Sequence, residues 1–267
     1  MMRMCGFDAA LREEHAALLR DTLMLRDLLQ HNQPYMVRVP VFVCLRVSPT
    51  DSGAQSLEQG TPAWHSARAG RLTASLFATA AGLSSYATAI NLWQYRTGRV
   101  DGGARWEGNE HTTRGTALEP VALAAYTRLT GNAVQPCGLF LHATHSWLAA
   151  SPDGLLRDDG LLEIKCPARE PHATLPPLYM PQVQGQLFVS GRAWAHFFSF
   201  CETAEAGKPV AALFEVRRSE EYWAWLLPRL RKFYACEQAD IDPGSELSLA
   251  PGEQPPHVEV KCVRRWR

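Results

Sequence analysis

The chain has 267 residues with 27 Lys plus Arg against 27 Asp plus Glu, enough length for one substantial core and no net charge that would mark a general polyanion binder. Its seven cysteines are scattered without a C-x-x-C pair, which excludes a disulfide-stapled secreted scaffold and reads as reduced thiols. No apolar run is long enough to span a bilayer and the N-terminus lacks a signal-peptide core, so the expectation is a soluble intracellular protein with one large domain and appendages.

From Ala9 to Leu29 the leucines at 11, 18, 25 and 29 fall at helical spacing with Asp, Glu and Arg between them, predicting an amphipathic helix. Met36–Val47 is apolar enough for a strand, and the Pro, Ser, Gly and Gln of Ser48–Thr61 read as a linker. Residues 1–55 are thus an N-terminal extension and the core domain spans 56–240. Within it, Leu118, Ala122, Ala125 and Leu129 line one helix face that Gly131 and Asn132 terminate. Strands are predicted at Leu139–His142, Trp147–Ala150 and Leu161–Cys166, the last two separated by a turn rich in Asp and Gly, as in a meander. A helix at Met180–Val189, strands at Trp194–Cys201 and Ala211–Val216, and a long helix at Glu220–Cys236 complete a mixed α/β domain. Residues 241–267 read as a mobile Pro/Gly-rich tail ending in the basic tip KCVRRWR.

The segment SPDGLLRDDGLLEIKC carries the chemistry. Side chains alternate faces along a strand, so Glu163 and Lys165 share one face and Leu162 and Ile164 the other. Two ions beside a core cost several kcal/mol each unless paired or metal-bound. Pro152 ends the preceding strand, and a turn at Arg157–Gly160 can return the chain so that Asp153 and Glu163 converge. Hard divalent cations take such oxygen ligands at roughly 2.0–2.1 Å. Such an ion polarises phosphate and activates water, while Lys165 would orient the water or help deprotonate it. The competing reading is an ordinary Pro-Asp-Gly turn with a same-face ion pair. A second E-x-K triplet, Glu259-Val260-Lys261, has no Asp on a preceding hairpin.

The strings WLAASPDGLLRDDGLLEIKCP and YMPQVQGQLFVSGRAWAHFF, with GTALEPVALAAYTRLTG and WHSARAGRLTAS upstream, together resemble the YqaJ and lambda-exonuclease group of viral recombination nucleases in the PD-(D/E)xK superfamily. The likeness runs from about Trp64 to Phe198. It implies a restriction-endonuclease-like α/β fold, with a mixed β-sheet core flanked by helices. It further implies one or two Mg²⁺ or Mn²⁺ ions held by Asp153, Glu163 and the backbone carbonyl of Ile164, with Lys165 catalytic and Gln182 positioning the lysine or the water. Glu119 matches an acidic residue near the second ion or its waters, and Arg68 and Ser75 match residues that hold a terminal 5′-phosphate. The implied activity is 5′→3′ digestion of double-stranded DNA from a free 5′ end, leaving 3′ overhangs for a single-strand annealing protein. A ring-shaped homotrimer is one assembly the resemblance allows, and no membrane is involved.

Each residue also has a plainer reading. Gln182 can be a surface or capping residue, Glu119 can close a capping box with Thr116, Ser75 can be a helix N-cap, and Arg68 or Arg71 a solvated charge. His142-x-x-His145 lacks further metal-ligand partners in sequence. Trp93, Tyr95, Arg96, Arg99, Arg105 and Trp106 suit either base stacking or a helix with buried aromatics, and Gly108–Arg114 can be a mobile approach to the site. An endonuclease or RNA-directed nuclease of the same fold, or an inactive DNA-binding module, are the alternative functions.

Overall fold

The sequence Trp-Ala-His-Phe-Phe-Ser-Phe-Cys over Trp194–Cys201 is buried at every position but the first, as a central strand covered on both faces must be. In the computed structural model, which describes residues 54–55, 57–99, 110–157, 159–202, 210–247, 249–250 and 252–266, this strand lies at the middle of a five-stranded sheet. The helix expected at 9–29 and the strand at 36–47 lie outside the described residues.

In chain order the elements are β1 (Ala54–Gln55), α1 (Pro62–Arg68), β2 (Leu72–Thr73), α2 (Phe77–Ala80), α3 (Ala89–Arg96), α4 (Glu110–Thr130), β3 (Leu139–Leu141) and β4 (Leu148–Ala150). They continue with β5 (Gly154–Leu156), β6 (Gly160–Lys165), α5 (Met180–Ser190), β7 (Trp194–Cys201), β8 (Val210–Arg217), α6 (Glu220–Ala239) and β9 (Val260–Trp266). A small sheet has the order β1-β3-β4-β2 and the large one β5-β6-β7-β8-β9. In the large sheet β6 and β7 are parallel and the other pairs antiparallel. A parallel pair needs a crossover, and α5 supplies it.

The alternation of side chains divides the core between the two faces of the large sheet. Leu162, Ile164, Phe198, Phe200 and Leu213 meet Ala122, Ala125 and Tyr126 of α4. Leu161, Ala195, Phe197, Phe214 and Val216 meet Val183 and Leu187 of α5 and Leu226, Leu230 and Phe233 of α6. Gly185 lets α5 settle closely, since a Cβ there would stand 2.4 Å from the Phe77 ring. Gln184, fully buried, donates to Arg217 O at 2.8 Å and accepts from Ser219 N at 2.8 Å. Ser219 in turn caps α6 by accepting from Tyr222 N.

Three expectations are corrected. The meander is split, with β3 and β4 in the small sheet and β6 in the large one, because the chain turns at Pro152–Asp153 and adds the short strand β5. The helix of the Leu118–Leu129 stripe begins at Glu110 and carries Pro120 in its interior. The segment read as a mobile tail ends in β9, which pairs antiparallel with β8 through a register shift at Leu213/Phe214. Among the described residues no helix is long and apolar enough to cross a membrane.

Candidate active site

The β5–β6 hairpin builds the centre. Arg157 adopts φ 50° in the turn, Gly154 pairs with Leu162, and Asp153 N donates to Leu162 O at 3.0 Å. Asp153 is thereby held at the β6 edge, where its Oδ2 accepts from Ile164 N at 2.5 Å. The N–H and C=O of one strand residue point to the same side, so the Ile164 carbonyl also faces the Asp153 edge.

Glu163 projects to the α5 face and is 2% exposed. Its Oε1 takes two donors, the Lys165 ammonium and Gln182 Nε2 at 2.6 Å. Its Oε2 accepts from Gln186 Nε2 at 2.6 Å. Gln182 and Gln186 are one helical turn apart on α5, and neighbours at that spacing share a face. Lys165 Nζ also stands 5.3 Å over the Tyr179 ring.

Burial pushes the Asp153 carboxyl well above the usual carboxylate range, with Glu163 and Glu119 adding to the shift and Lys165 opposing it. Glu119, from α4, is raised by burial and by Glu163. For Lys165, burial works against the ammonium, but Glu163 and Asp153 outweigh it and raise the lysine above its ordinary value. The centre is therefore a buried concentration of negative charge with one ammonium set into it. Among the described residues no trio of His, Cys, Asp and Glu side chains closes on one point. A cation would rest instead on the carboxylates of Asp153 and Glu163 and the Ile164 carbonyl, completed by water and phosphate. These oxygens fit a hard divalent ion such as Mg²⁺ or Mn²⁺, and burial and the neighbouring carboxylate charge that raise Asp153 and Glu119 are what such an ion would offset.

The Ser151–Asp153 corner is braced from outside the hairpin. Gln59 Nε2 donates to Pro152 O at 2.8 Å, Cys137 Sγ donates to the same carbonyl at 3.1 Å, and Trp64 Nε1 donates to Ser151 Oγ at 3.0 Å. Burial, with Asp153 nearby, pushes the Cys137 thiol up to about 12, so it remains a donor. A cavity of about 560 Å³ opens on the same corner, with Gln59, Glu119, Leu123, Cys137 and Asp153 in its wall.

Arg68 and Ser75 flank the buried Thr73. The Arg68 guanidinium lies 4.1 Å over the Trp64 ring and reaches Thr73 Oγ1 at 3.5 Å, and Thr73 Oγ1 is 3.3 Å from Ser75 Oγ. Burial lowers Arg68 from its ordinary value, so it is not a freely solvated charge. Ser75 caps neither the 3₁₀ turn Ala74–Leu76 nor α2, since Thr73 and Leu76 hold those positions. Trp64 links this group to the Asp153 corner through Ser151.

Several plainer readings are now settled. Glu119 sits inside α4, not at its start, which removes the capping box with Thr116. Gln182 is not a surface residue, being bonded to Glu163. Arg71 serves the fold, bonding Ser146 O and Ala67 O. His142 is structural: its Nδ1 accepts from Thr144 N and His145 N at 3.2 and 3.3 Å, and its ring stacks on Trp223. Arg96 pairs with Glu237, and Arg99 with Asp240 while covering the buried Trp93, so these residues pin α3 to the end of α6. Arg105 and Trp106 lie outside the described residues, as do Gly108 and Asn109 of the expected mobile approach. From Glu110 onward that approach is helix.

Sequence reasoning missed Gln59, Trp64, Cys137 and Gln186. Only Gln186 had a signal, its spacing of four from Gln182.

Residues 63–193 match the YqaJ-like viral recombinase domain family. The crystal structure of an alkaline exonuclease, LHK-Exo, from Laribacter hongkongensis is similar, with 31% identity over 67% of this chain and 94% of that one and a TM-score of 0.56. The structure of LHK-Exo in complex with dAMP matches at 29% identity, over 70% of this chain and 97% of that one, with a TM-score of 0.56. No curated protein sequence matches the chain.

Proposed function

The chain belongs to the YqaJ-like viral recombinase family, and from that premise we propose that it is a metal-dependent DNA exonuclease that digests duplex ends 5′→3′ and leaves 3′ overhangs for strand annealing. The observation that carries the reading is the hairpin that sets Asp153 against Ile164 and brings Glu163 and Lys165 onto one face beside it. The likeness to an alkaline exonuclease supports the reaction class.

In this reading Asp153, Glu163 and the Ile164 carbonyl hold the ion, which when bound polarises the scissile phosphate and activates a water. Gln182 and Gln186 fix the Glu163 carboxylate so that it does not swing away from the ion. Glu163 and Asp153 hold Lys165 above its ordinary value in the metal-free chain. Beside the ion it orients the water or helps deprotonate it, and it balances charge on the phosphate in the transition state. Glu119 borders the cavity beside Asp153, placed for a second ion or its waters. Arg68 and Ser75 receive the 5′-phosphate, with the guanidinium presented on Trp64.

End-labelled linear duplex is the test, with circular plasmid and RNA as controls. Release of mononucleotides from 5′-phosphorylated ends is expected with Mg²⁺ and none with EDTA or in Lys165→Ala. Cleavage of the circle or of RNA alone would replace the reading with an endonuclease or a ribonuclease. DNA binding without metal-dependent cleavage would leave an inactive module.

A further inference from the structure

The strand β9 ends the large sheet, with one edge hydrogen-bonded to β8 and, among the described residues, no strand paired on the other. An open edge invites pairing with another strand, and proteins commonly guard it with charge. Here the charge is all of one sign: Lys261, Arg264 and Arg265 lie on β9, and no acid falls between Val260 and Arg267. Neither Lys261 nor Arg264 has an ion-pair partner among the described residues. Arg264 instead lies 5.4 Å over the ring of Trp266.

The register ties this edge to the catalytic lysine. Lys165 lies opposite Ser199, Ser199 opposite Ala212, and Ala212 opposite Arg265, so the two cations occupy one row and one face of the sheet. Three strand spacings separate them by roughly 14 Å, about the reach of two or three nucleotides of a strand. Contacts run along the row as well. Lys165 stands over Tyr179, the Tyr179 and His172 rings are 5.7 Å apart, and Arg265 donates to the carbonyls of His172 and Ala173. Lys261 and Arg264 lie opposite Glu215 and Leu213, so they flank the same edge from the other face.

We propose that β9 is a second nucleic-acid contact, at which Lys261 and Arg264 bind backbone phosphates of the DNA strand whose end occupies the metal site. Arg265 anchors β9 to the loop that follows Lys165, and so fixes the spacing between the two contacts. A second copy of the chain is the poorer occupant, because antiparallel pairing of β9 with itself would crowd the cations together. The proposal rests on the nuclease reading above.

The full chain carrying Lys261→Glu and Arg264→Glu keeps a charged edge and reverses its sign, which separates phosphate binding from mere edge protection. With Ca²⁺ in place of Mg²⁺, Kd for a 5′-phosphorylated duplex is measured by fluorescence anisotropy at several salt concentrations. We expect Kd to rise at least tenfold and the slope of log Kd against log salt to fall by about two, since each lost phosphate contact removes about 0.9. In Mg²⁺, KM should rise while kcat stays within about twofold. Lys261→Gln with Arg264→Gln should show a smaller change in the same direction, with an unchanged melting curve as evidence that the sheet is intact. Wild type that cuts DNA, beside a reversed-charge variant with unaltered Kd and slope, overturns this inference alone and leaves an acidic protein as the occupant of β9. Wild type that neither binds nor cuts DNA removes the parent reading as well.

Discussion

Gln186 donates its amide to Glu163 Oε2 at 2.6 Å from a position only 1% exposed, while its own Oε1 is buried with no partner among the described residues. The amide cannot turn over without setting its oxygen against the carboxylate, so its orientation is fixed by charge. Gln186→Leu should strand Oε2 and lower stability by about 1–3 kcal/mol. Loss of a group that orients a metal ligand should also lower cleavage about 10–100-fold. Thermal melts and single-turnover cleavage measure the two effects, and a variant with wild-type turnover would reduce Gln186 to packing.

Asp153→Asn should trade activity for stability. The folded-state value of Asp153 is raised, so its contribution to stability is present at low pH and is lost as pH rises through that value. In metal-free protein above that value the ionised carboxylate faces Glu163 and Glu119, and there the amide would relieve the repulsion while still accepting from Ile164 N. The expected result is a Tm in EDTA raised by about 2–4 °C, no further rise on adding Mg²⁺, and cleavage reduced beyond detection. Sustained cleavage by this variant would contradict the assigned centre.

Arg68→Ala tests the end-binding group separately. A charge-assisted contact worth about 1.5–3 kcal/mol corresponds to a KM raised roughly 10–150-fold for 5′-phosphorylated ends, with little change for 5′-hydroxyl ends. Equal KM ratios in wild type and variant would remove the phosphate role and leave the metal site standing.

Acid should weaken the fold through two histidines. Burial lowers both His142 and His196 to about 4. Below their ordinary value of 6.5 the unfolded chain takes up protons that the folded chain refuses, so stability falls from about pH 6.5 until about pH 4, where both states are protonated. His142→Asn retains an acceptor for the two backbone amides of its turn but gives up the stack on Trp223. Its Tm should be lower at pH 7, and the decline between pH 6.5 and 4 should be about half as steep. An unchanged decline would assign the acid sensitivity elsewhere.

What was legible in the sequence followed the range of the interactions. Glu163 and Lys165 sit on one face by strand alternation alone, and the turn that returns Asp153 is a few residues long. Trp194–Cys201 could be read because its apolar run is continuous. Gln186 was obscured because its partner depends on how α5 rotates against the sheet, which Gly185 and Phe77 decide. The two-residue strands β1 and β2 are too short to carry a pattern. Proline favours the first turn of a helix, yet α4 carries Pro120 at an interior position on the solvent side, so its start could not be read from that residue. The strand β9 was hidden by the Pro/Gly-rich approach and by a register shift that breaks its alternation.

The helix that carries Gln182 and Gln186 is also the crossover that makes β6 and β7 parallel. Where α5 docks, Gln182 and Gln186 arrive at Glu163 together, so the packing of the sheet and the placement of that carboxylate are geometrically coupled: a change that shifts α5 shifts both.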